Sequence, residues 1–445
     1  MEGKNKILSP IHKGLIMQSK KPLILLVAAF IVVFGFLTIT APLFAASSEK
    51  VLYSFCTLSN CADGNTPEAN LIFDAAGNLY GTTFDGGAYG SGSIFELVRG
   101  SNGTWTEKVL YSFCSATNCA DGTNPEGLVL GKAGKLYGIT LTGGGYGFGA
   151  VFELAPGKGG TWSEKVLHNF DFTGGDGYYP YNGLIVDAGG NLYGTTEWGG
   201  AYNSGTVFQL IPGAKGKWTE KRLHNFNDNG KDGYAPLSGL MLDAAGNLYG
   251  TTTLGGSSGT GCGGHGCGIV FQLTPGAKGK WTEKVLHNFN NSGKDGYDPW
   301  GGVVSDKTGT LYGTTTAGGA SGCGMVFKLA PGASGKWTER VVHSFAKDAN
   351  DGCVPEAGLT VDAAGNLYGT TFYGGPYNDG TVFELIPRTN GTWTEKVVHN
   401  FDWSLFVKDG TLPGAGLVFD AKGNLYGTTE NGGDLNSGTV FEITP

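Results

Sequence analysis

The sequence predicts an all-β protein, a seven-bladed β-propeller of four-stranded blades that its N-terminal strand closes. The first observation is a heptapeptide close to GNLYGTT, which occurs seven times in the 445 residues. Its tyrosines lie 56 to 63 residues apart: Tyr80, Tyr137, Tyr193, Tyr249, Tyr312, Tyr368 and Tyr426. The second observation is that each interval holds four short strand signals. The third is that the repeated part starts on a lone fourth strand and stops after a third.

Each unit divides into four runs of β-branched and aromatic residues, separated by Gly, Pro, Asn or Asp. In the third unit these runs are GLIVD, NLYGTT, GTVFQL and WTEKRLHNF. DAGGN or DAAGN joins the first two as a tight hairpin, in which Asp accepts hydrogen bonds from the turn amides and Gly takes a positive φ. On the second strand, we expect Tyr80 to pack against a neighbouring blade and Gly81 to let an adjacent blade's side chains approach closely.

The two ends of the repeated part predict how the ring closes. Residues Glu49–Phe55 (EKVLYSF) match the fourth strand of a unit, whereas the chain ends on GTVFEITP, a third strand. The N-terminal strand therefore completes the last blade and removes an exposed sheet edge. A β-solenoid is the alternative, but it does not explain a start on a fourth strand and an end one strand short of a full unit.

Residues 1–48 differ from the single propeller domain predicted for residues 49–445. Lysines precede a run without charge from Pro22 to Ser48, and small residues stand at Ala45–Ser47. This pattern predicts an export signal, with an uncleaved N-terminal membrane anchor as the alternative because the run is long. In the second case residues 22–46 tether the protein to the membrane. In both cases the propeller is periplasmic, extracellular or on the cell surface.

The eight cysteines fit an oxidising compartment. Three pairs each enclose four residues, and the even count favours disulfides. The cysteines are Cys56, Cys61, Cys114, Cys119, Cys262, Cys267, Cys323 and Cys353. The alternative is a four-cysteine zinc site made by the first two pairs.

The composition excludes one class of partner. The formal net charge is −8 and no basic stripe occurs, so we expect no nucleic-acid partner. Gly is unusually frequent, at 80 residues, but its periodic placement favours a packed repeat over a low-complexity chain. We expect a monomer whose partner is a glycan or an extracellular protein.

The combined motif GL…D…GNLYGTT…GG…GTVFEL…W.EKVLHNF…DG..P resembles the GloVer-type tandem repeat of choice-of-anchor bacterial surface proteins. The resemblance covers essentially the whole part after the apolar run. It implies secretion, a propeller-like array and often a C-terminal sorting signal. The chain departs from this pattern at its end, because it stops at Pro445 without an apolar tail. The resemblance implies no catalytic residues.

The repeated polar residues are better explained by structure than by catalysis. One position holds Tyr53 and Tyr111 in the first two copies and histidine in five others: His168, His224, His287, His343 and His399. Whole blades separate them, so they cannot converge on one metal, and we expect a structural role and no metal site. The seven Asp-Gly pairs are expected to form turns, because the alternate oxygen ligands of a calcium loop are missing. His265 is expected to be exposed in a loop pinned by a disulfide between Cys262 and Cys267, with a soft-metal site as the alternative.

Positions that vary between units are better candidates for a binding site, because a site on a symmetric ring must break the symmetry. Loops that lead into the first strand and loops between the second and third strands should share one face. The residue after each repeated Pro should lie at the mouth of the central channel: Glu68, Glu126, Tyr181, Leu237, Trp300, Glu356 and Gly414. Others should lie near it on the same face: Asp85, Tyr178, Glu197, Trp198, Tyr373, Trp403 and Glu430.

From these positions we predict a ligand site made by Glu68, Glu126, Tyr181, Trp198, Trp300 and Glu356. Carboxylates and aromatic rings at a channel mouth suit a cation, a sugar or a basic peptide. We predict no cofactor, although a bound cation such as calcium fits the same residues.

The predicted role is non-catalytic binding or scaffolding outside the cell, for glycan or protein ligands. The alternative is a polysaccharide hydrolase or lyase, or a lactonase, that uses acidic residues at the channel mouth. No nucleophile-and-base motif occurs in the sequence, so catalytic residues stay unassigned. A purely structural envelope protein is the third alternative.

Overall fold

A computed structural model describes residues 48–173, 175–257, 262–404 and 409–445. Within these ranges the chain forms 36 strands and seven 3₁₀ helices, and no α-helix. Seven four-stranded antiparallel sheets follow one another along the chain, which confirms the predicted seven-bladed propeller. The 3₁₀ helices are Ser59–Cys61, Thr117–Cys119, Lys132–Gly134, Lys158–Gly160, Ala214–Gly216, Ala277–Gly279 and Ala333–Gly335.

Strands β1 to β13 comprise the closing strand and blades 1 to 3. The closing strand is β1 (Ser48–Ser54). Blade 1 holds β2 (Ile72–Phe73), β3 (Leu79–Thr83), β4 (Ser93–Arg99) and β5 (Trp105–Ser112). Blade 2 holds β6 (Thr123–Leu130), β7 (Leu136–Thr142), β8 (Ala150–Pro156) and β9 (Trp162–Asn169). Blade 3 holds β10 (Gly177–Val186), β11 (Leu192–Gly199), β12 (Thr206–Pro212) and β13 (Trp218–Asn225).

Strands β14 to β36 comprise blades 4 to 7. Blade 4 holds β14 (Gly233–Tyr234), β15 (Met241–Leu242), β16 (Leu248–Thr252), β17 (Leu254–Gly255), β18 (Ile269–Pro275) and β19 (Trp281–Asn288). Blade 5 holds β20 (Gly296–Tyr297), β21 (Val304–Ser305), β22 (Leu311–Thr315), β23 (Ala317–Gly318), β24 (Met325–Pro331) and β25 (Trp337–Ser344). Blade 6 holds β26 (Gly352–Cys353), β27 (Thr360–Val361), β28 (Leu367–Thr371), β29 (Tyr373–Gly374), β30 (Thr381–Pro387) and β31 (Trp393–Asn400). Blade 7 holds β32 (Gly410–Thr411), β33 (Val418–Phe419), β34 (Leu425–Thr429), β35 (Asn431–Gly432) and β36 (Thr439–Thr444).

The N-terminal strand closes the ring as predicted. Strand β1 pairs antiparallel with β36, and the pairing runs from Ser48 opposite Thr444 to Ser54 opposite Thr439. The last blade therefore has the order β33-β34-β36-β1, so its fourth strand comes from the other end of the chain. This pairing covers the edge that β36 would otherwise expose.

The core between blades is built from pairs of buried phenylalanines. The Phe after each fourth strand packs against the Phe in the third strand of the next blade, with ring centroids 5.0 to 5.2 Å apart. At the closing junction Phe55 packs on Phe95 at 5.0 Å, and both side chains are fully buried. The junction made by the two chain ends is thus packed like the six internal ones.

The second strand packs on both faces, as expected for a propeller blade. Tyr80 packs with Leu136 and Phe152 of blade 2, while Leu79 packs with Tyr426 of blade 7. The prediction for Gly81 was wrong in one respect: its close neighbours come from its own blade.

A Cβ on Gly81 would lie 2.5 Å from Cζ of Phe95 and 2.9 Å from Cδ2 of Leu71. The ring of Phe95 thus lies directly over Gly81, because the two residues are opposite each other in the β3–β4 pairing. Glycine is required here for packing within the blade.

The hairpin between the first and second strands forms as predicted. Asp74 Oδ1 accepts hydrogen bonds from the backbone N–H groups of Ala76 (2.8 Å) and Asn78 (2.9 Å). Gly77 takes a φ of +86°, which an L-residue rarely adopts. The turn residues therefore hold the hairpin together.

The N-terminal segment lies outside the described residues. The predictions of an export signal in residues 1–48 and of a tether in residues 22–46 concern that part of the chain. In the part that the structure describes, no helix is long and apolar enough to cross a membrane.

Candidate functional site

A central cavity of about 280 Å³ opens where the innermost strands of the seven blades meet. All seven residues predicted at the channel mouth line it: Glu68, Glu126, Tyr181, Leu237, Trp300, Glu356 and Gly414. Glu430, predicted only to be nearby, lines the same cavity. Four glutamates and two aromatic rings therefore share one cavity.

Irregular pairing of the innermost strand places two of these side chains on the cavity wall. The pairing of β6 with β7 shifts register between Glu126 and Leu128, and that of β10 with β11 shifts between Tyr181 and Ile185. A bulge of this kind bends a strand and redirects its side chains. At these two blades it places Glu126 and Tyr181 on the cavity wall.

Glu430 reaches the cavity because blade 7 has glycine at the channel position. A Cβ on Gly414 would lie 2.7 Å from Oε1 of Glu430. The carboxylate thus occupies the space that a side chain fills in the other blades. Glu430 comes from the loop after the second strand, so it compensates for a missing first-strand side chain.

Burial raises the pKa values of the two most strongly shifted glutamates. The pKa of Glu126 rises to about 8, with the charge of Glu68 adding to the effect and a hydrogen bond with the backbone of Asn182 opposing it. The pKa of Glu430 also rises to about 8, first through burial and then through the charges of Glu68 and Glu356. Both carboxyls are therefore largely protonated at pH 7 in the empty cavity.

The other two glutamates shift in the same direction. Burial raises the pKa of Glu68 to about 7, and the charges of Asp85 and Glu356 contribute. Burial also raises the pKa of Glu356 to about 7, with a contribution from Asp298. Among the described residues that line the cavity, none is Lys, Arg or His.

One glutamate has an oxygen that no protein group satisfies. Glu126 is only 6% exposed, and its Oε1 is buried without a hydrogen-bond partner. A buried carboxyl oxygen without a partner costs free energy. The cavity therefore has an unmet polar group on its wall.

The two aromatic rings of the cavity differ in their surroundings. Trp300 is held in place by a hydrogen bond from its Nε1 to Oδ1 of Asp298 (3.0 Å). Burial raises the pKa of Tyr181 above its usual range, and the charges of Glu126 and Glu68 add to that shift. The Tyr181 hydroxyl is thus a neutral donor beside the glutamates.

Trp198, the sixth predicted ligand residue, does not line the central cavity. It lies with Tyr178, predicted to be nearby, in a second and more open cavity of about 460 Å³. The remaining residues of that cavity are Phe148, Phe172, Tyr179 and Asn203. Five of the six predicted residues therefore come together, and Trp198 belongs to a separate aromatic surface on blades 2 and 3.

The other residues predicted near the mouth line neither cavity. Asp85 forms an isolated β-bridge with Asn65. Tyr373 lies in β29 of blade 6 and Trp403 in the loop that leads into blade 7, and they are 40% and 49% exposed. Burial raises the pKa of Glu197, which lies next to Trp198 in β11.

All eight cysteines form disulfides, as predicted. The bonds are Cys56–Cys61, Cys114–Cys119, Cys262–Cys267 and Cys323–Cys353. The alternative zinc site from the first four cysteines is wrong, because their sulfurs are bonded to each other. Four disulfides indicate an oxidising periplasmic or extracellular environment. His265, inside the third loop, is 57% exposed at its side chain and contacts Asp228 at 2.8 Å.

The five repeated histidines each pair with the Asp of the following Asp-Gly motif. The Nε2 to Oδ2 distances range from 2.8 to 3.3 Å. Tyr53 and Tyr111 occupy the same position and donate to Asp63 (2.8 Å) and Asp121 (2.7 Å). Each histidine thus lies at its own blade junction, as expected.

The cavity glutamates do not form a compact metal cage. Among the described residues, groups of three His, Cys, Asp or Glu ligand atoms within 4.8 Å of one another occur at two places, and both lie at blade junctions. Neither group includes a cavity glutamate.

A family model for the Gloeobacter/Verrucomicrobia repeat matches residues 42–263 and 262–445, which is nearly the whole chain after the apolar run. The chain belongs to the Gloeobacter/Verrucomicrobia repeat family. This membership agrees with the tandem-repeat resemblance in the sequence. A search of curated proteins found no match to this repeat protein.

Solved structures support the propeller fold of this repeat protein. One similar structure is an ancestral GH74 enzyme, with 10% sequence identity and a TM-score of 0.54. Another is the extracellular domain of a protein from B. thetaiotaomicron described as a one-component system, with 13% identity and a TM-score of 0.50. The matches cover 86% and 89% of this chain but only 48% and 42% of those proteins. At such identities the likeness shows the fold alone.

Proposed function

We propose that this repeat protein is a non-catalytic binding protein of the periplasm or cell exterior, and that its central cavity takes an amino sugar of a glycan. One observation carries the proposal: one buried and three half-buried glutamates line one cavity with two aromatic rings, and no basic side chain among the described lining residues balances them. A cavity built this way favours a cationic ligand with an apolar face.

The ligand's positive charge is argued from the glutamates. Burial and mutual repulsion keep them partly protonated in the empty cavity, with pKa values raised to about 7 or 8. A bound ammonium group stabilises the ionised carboxylates and lowers their pKa values again. It also offers donors to the unpartnered Oε1 of Glu126. Binding is therefore expected to release protons at pH 7.

The sugar ring is argued from the aromatic side chains and the size of the cavity. Tyr181 and Trp300 line the same cavity as the glutamates. Asp298 holds the indole of Trp300 in place. Aromatic faces pack against the apolar faces of pyranose rings, while carboxylates accept hydrogen bonds from hydroxyls. A volume of about 280 Å³ fits a single ring or chain end better than an extended polymer.

Calorimetric titration with glucosamine oligomers and with N-acetylglucosamine oligomers tests this proposal. We expect the glucosamine oligomer to bind at pH 7, the acetylated one at least ten-fold more weakly, and Glu126→Gln to weaken binding by a similar factor. Asp228→Asn is the matched control, since it removes one acidic charge outside the cavity. Equal affinity for both oligomers, or binding only to a lysine-containing peptide, would contradict the proposal.

A second candidate function is glycan cleavage by the same glutamates. The observation in its favour is that Glu126, with a pKa of about 8, lies close enough to Glu68 for the charge of Glu68 to raise that pKa. A protonated and an ionised carboxyl side by side form the acid and base pair of glycosidases. Release of reducing ends from glucosamine oligomers, abolished by Glu126→Gln and by Glu68→Gln, would favour this function over binding alone.

A further inference from the structure

The second cavity, on blades 2 and 3, differs in chemistry from the central one. Its volume is about 460 Å³, and five aromatic side chains and one amide line it. We call this lining the aromatic surface: Phe148, Phe172, Tyr178, Tyr179, Trp198 and Asn203. None of these side chains carries a formal charge, whereas four glutamates line the central cavity.

The rings of the aromatic surface are only partly covered by protein. Tyr178 is buried in the core between blades 2 and 3, and its hydroxyl donates a hydrogen bond to Oδ1 of Asn203 (2.9 Å). Phe148 and Phe172 stack with their ring centroids 5.7 Å apart and their planes at 26°. Phe172 is nevertheless 59% exposed. The surface therefore has a fixed base and leaves clustered apolar ring faces in water, which is unfavourable unless a ligand covers them.

The fold does not require aromatic rings at this place. At each of the seven junctions, a backbone N–H of one blade donates to a carbonyl of the preceding blade, and here Tyr179 N–H donates to Phe148 O (3.0 Å). Between blades 5 and 6, the repeat positions of Phe148 and Tyr178 hold the disulfide Cys323–Cys353. The acceptor at the other six junctions is serine, cysteine or aspartate: Ser91, Ser204, Cys267, Cys323, Asp379 and Ser437. Because junctions close with these residues, packing between blades does not explain the aromatic cluster.

The aromatic surface lies beside the central cavity. Both are lined by residues of β10, with Tyr178 and Tyr179 in the aromatic surface and Tyr181 in the central cavity. Three residues of chain span at most about 11 Å, which is within the reach of a short oligosaccharide. In blade 5, the repeat position of Tyr179 holds Asp298, which accepts a hydrogen bond from Nε1 of Trp300 in the central cavity (3.0 Å). The position of Tyr179 is therefore at the edge of the central cavity.

The two linings suit two parts of one ligand. The aromatic surface offers ring faces, which pack against the apolar faces of pyranose rings. Because Tyr178 occupies Oδ1 of Asn203, the two amide N–H groups of Asn203 remain for ligand hydroxyls. A mostly aromatic lining with few polar groups is the usual composition of a small-ligand site. An uncharged surface of this kind complements the acidic cavity beside it.

We propose that the aromatic surface is an outer subsite for the glycan whose amino sugar occupies the central cavity. It takes the pyranose rings next to that sugar, so the ligand is an oligosaccharide that runs from the ring axis along β10. This inference rests on the function proposed for the central cavity and adds the length and direction of the ligand. Trp198, a predicted ligand residue outside the central cavity, then contacts the same glycan at another ring.

Titration of the protein with glucosamine and with a glucosamine hexamer, measured by calorimetry at pH 7, tests the proposal. The variants are Phe172→Ala and Trp198→Ala in the aromatic surface and Glu126→Gln in the central cavity. Tyr89→Ala is the matched control, because Tyr89 on blade 1 is 58% exposed, much like Phe172, and lines neither cavity. Thermal melts establish that each variant is folded, and sedimentation velocity gives its oligomeric state.

We expect the wild-type protein to bind the hexamer about ten-fold more tightly than glucosamine, through stacking on the aromatic surface. Phe172→Ala and Trp198→Ala should lose most of this gain, and Phe172→Ala should bind glucosamine as the wild type does. Glu126→Gln should weaken the binding of both ligands. Tyr89→Ala should weaken neither.

Three results would overturn the outer subsite. If Phe172→Ala and Trp198→Ala bind the hexamer as tightly as Tyr89→Ala does, the subsite is wrong but the function proposed for the central cavity stands. If these variants lose hexamer binding while Glu126→Gln affects neither ligand, the function proposed for the cavity is wrong, and so is the single ligand proposed for both cavities. If the wild type forms a dimer that Phe172→Ala dissociates without changing hexamer affinity, the surface is an interface between copies of the chain.

Discussion

Burial raises the pKa of Glu126 on blade 2, and the charge of Glu68 on blade 1 raises it further, across a blade junction inside the ring. The two residues stand at the same repeat position, immediately after the proline of the DGxxP motif. In most of the ring, every unit packs against the next in the same way. At this position, however, the residue type differs between units, and acidic side chains converge. The regular part of the repeat thus builds the ring, and its variation builds the cavity.

The cavity glutamates should make the empty protein less stable as the pH rises. The pKa of Glu126 rises from an ordinary 4.5 to about 8, so the folded state holds a proton that the unfolded state releases. This contribution is complete below pH 4.5 and is lost as the pH rises through 8; it amounts to up to about 5 kcal/mol for one such group. Urea unfolding at pH 5 and pH 9 measures it. Glu126→Gln should flatten the decline, and parallel wild-type and variant profiles would refute the assignment.

A side chain at Gly81 should disrupt the packing within blade 1. Gly81→Ala places a Cβ 2.5 Å from Cζ of Phe95, so we expect a loss of about 1–3 kcal/mol in the free energy of unfolding. Gly77→Asn is the control, since nothing lies within 4 Å of that position and Asn tolerates its positive φ. Comparable losses in the two variants by urea denaturation would show that the Phe95 contact is unimportant.

The closing junction should be as strong as an internal one. Phe55→Ala and Phe226→Ala each remove a buried ring that packs on the next blade, at 5.0 and 5.1 Å. Each should cost about 3–5 kcal/mol in the free energy of unfolding. A much smaller loss for Phe55→Ala, or a separate early transition for it, would mean that the β1–β36 pairing closes the ring only weakly.

The disulfide that crosses a blade junction should stabilise the protein more than the local ones. Cys323 and Cys353 are 30 residues apart and join blades 5 and 6, whereas Cys56 and Cys61 are 5 residues apart. Loop-closure entropy predicts about 3.5 kcal/mol for the first bond and about 2 kcal/mol for the second. Urea denaturation of variants in which both cysteines of one pair are replaced by serine tests this order of stabilisation. A larger loss of unfolding free energy for the Cys56–Cys61 variant would contradict it.

The repeat made most of the fold predictable. Four strand signals per unit at a constant step defined the blades, and the lone strand at Glu49–Phe55 located the closure. The repeat did not reveal that Phe95 covers Gly81, because such a contact depends on the register between β3 and β4. Register is a property of paired strands, and one sequence run does not determine it.

The cavity residues that follow the repeated proline were predictable from the sequence, whereas the cavity residues from other segments were less so. Glu68, Glu126, Tyr181, Trp300 and Glu356 were found from a single offset after the repeated proline. Trp198 was assigned to the same face of the propeller but lines a separate cavity. Knowing the face of a residue does not determine its distance from the ring axis. Glu430 enters the cavity only because Gly414 leaves space for it, a contact between two loops that are far apart along the unit.

The groups of histidine, aspartate and glutamate at two blade junctions needed the structure for a related reason. Each group combines residues from three separate positions of the repeat, on two blades. In the sequence, each of these three residue types recurs at its own position of the repeat. Their meeting point follows from how the outer strands of adjacent blades face each other.

The central claim is that the glutamates and aromatic rings of the cavity bind a cationic sugar. A crystal structure of the protein with a glucosamine disaccharide tests it most directly. We predict the sugar in the central cavity, with its ammonium group within hydrogen-bonding distance of Glu126 or Glu430 and a ring face against Trp300 or Tyr181. A disaccharide bound at the aromatic surface around Trp198, with the central cavity empty, would contradict the claim.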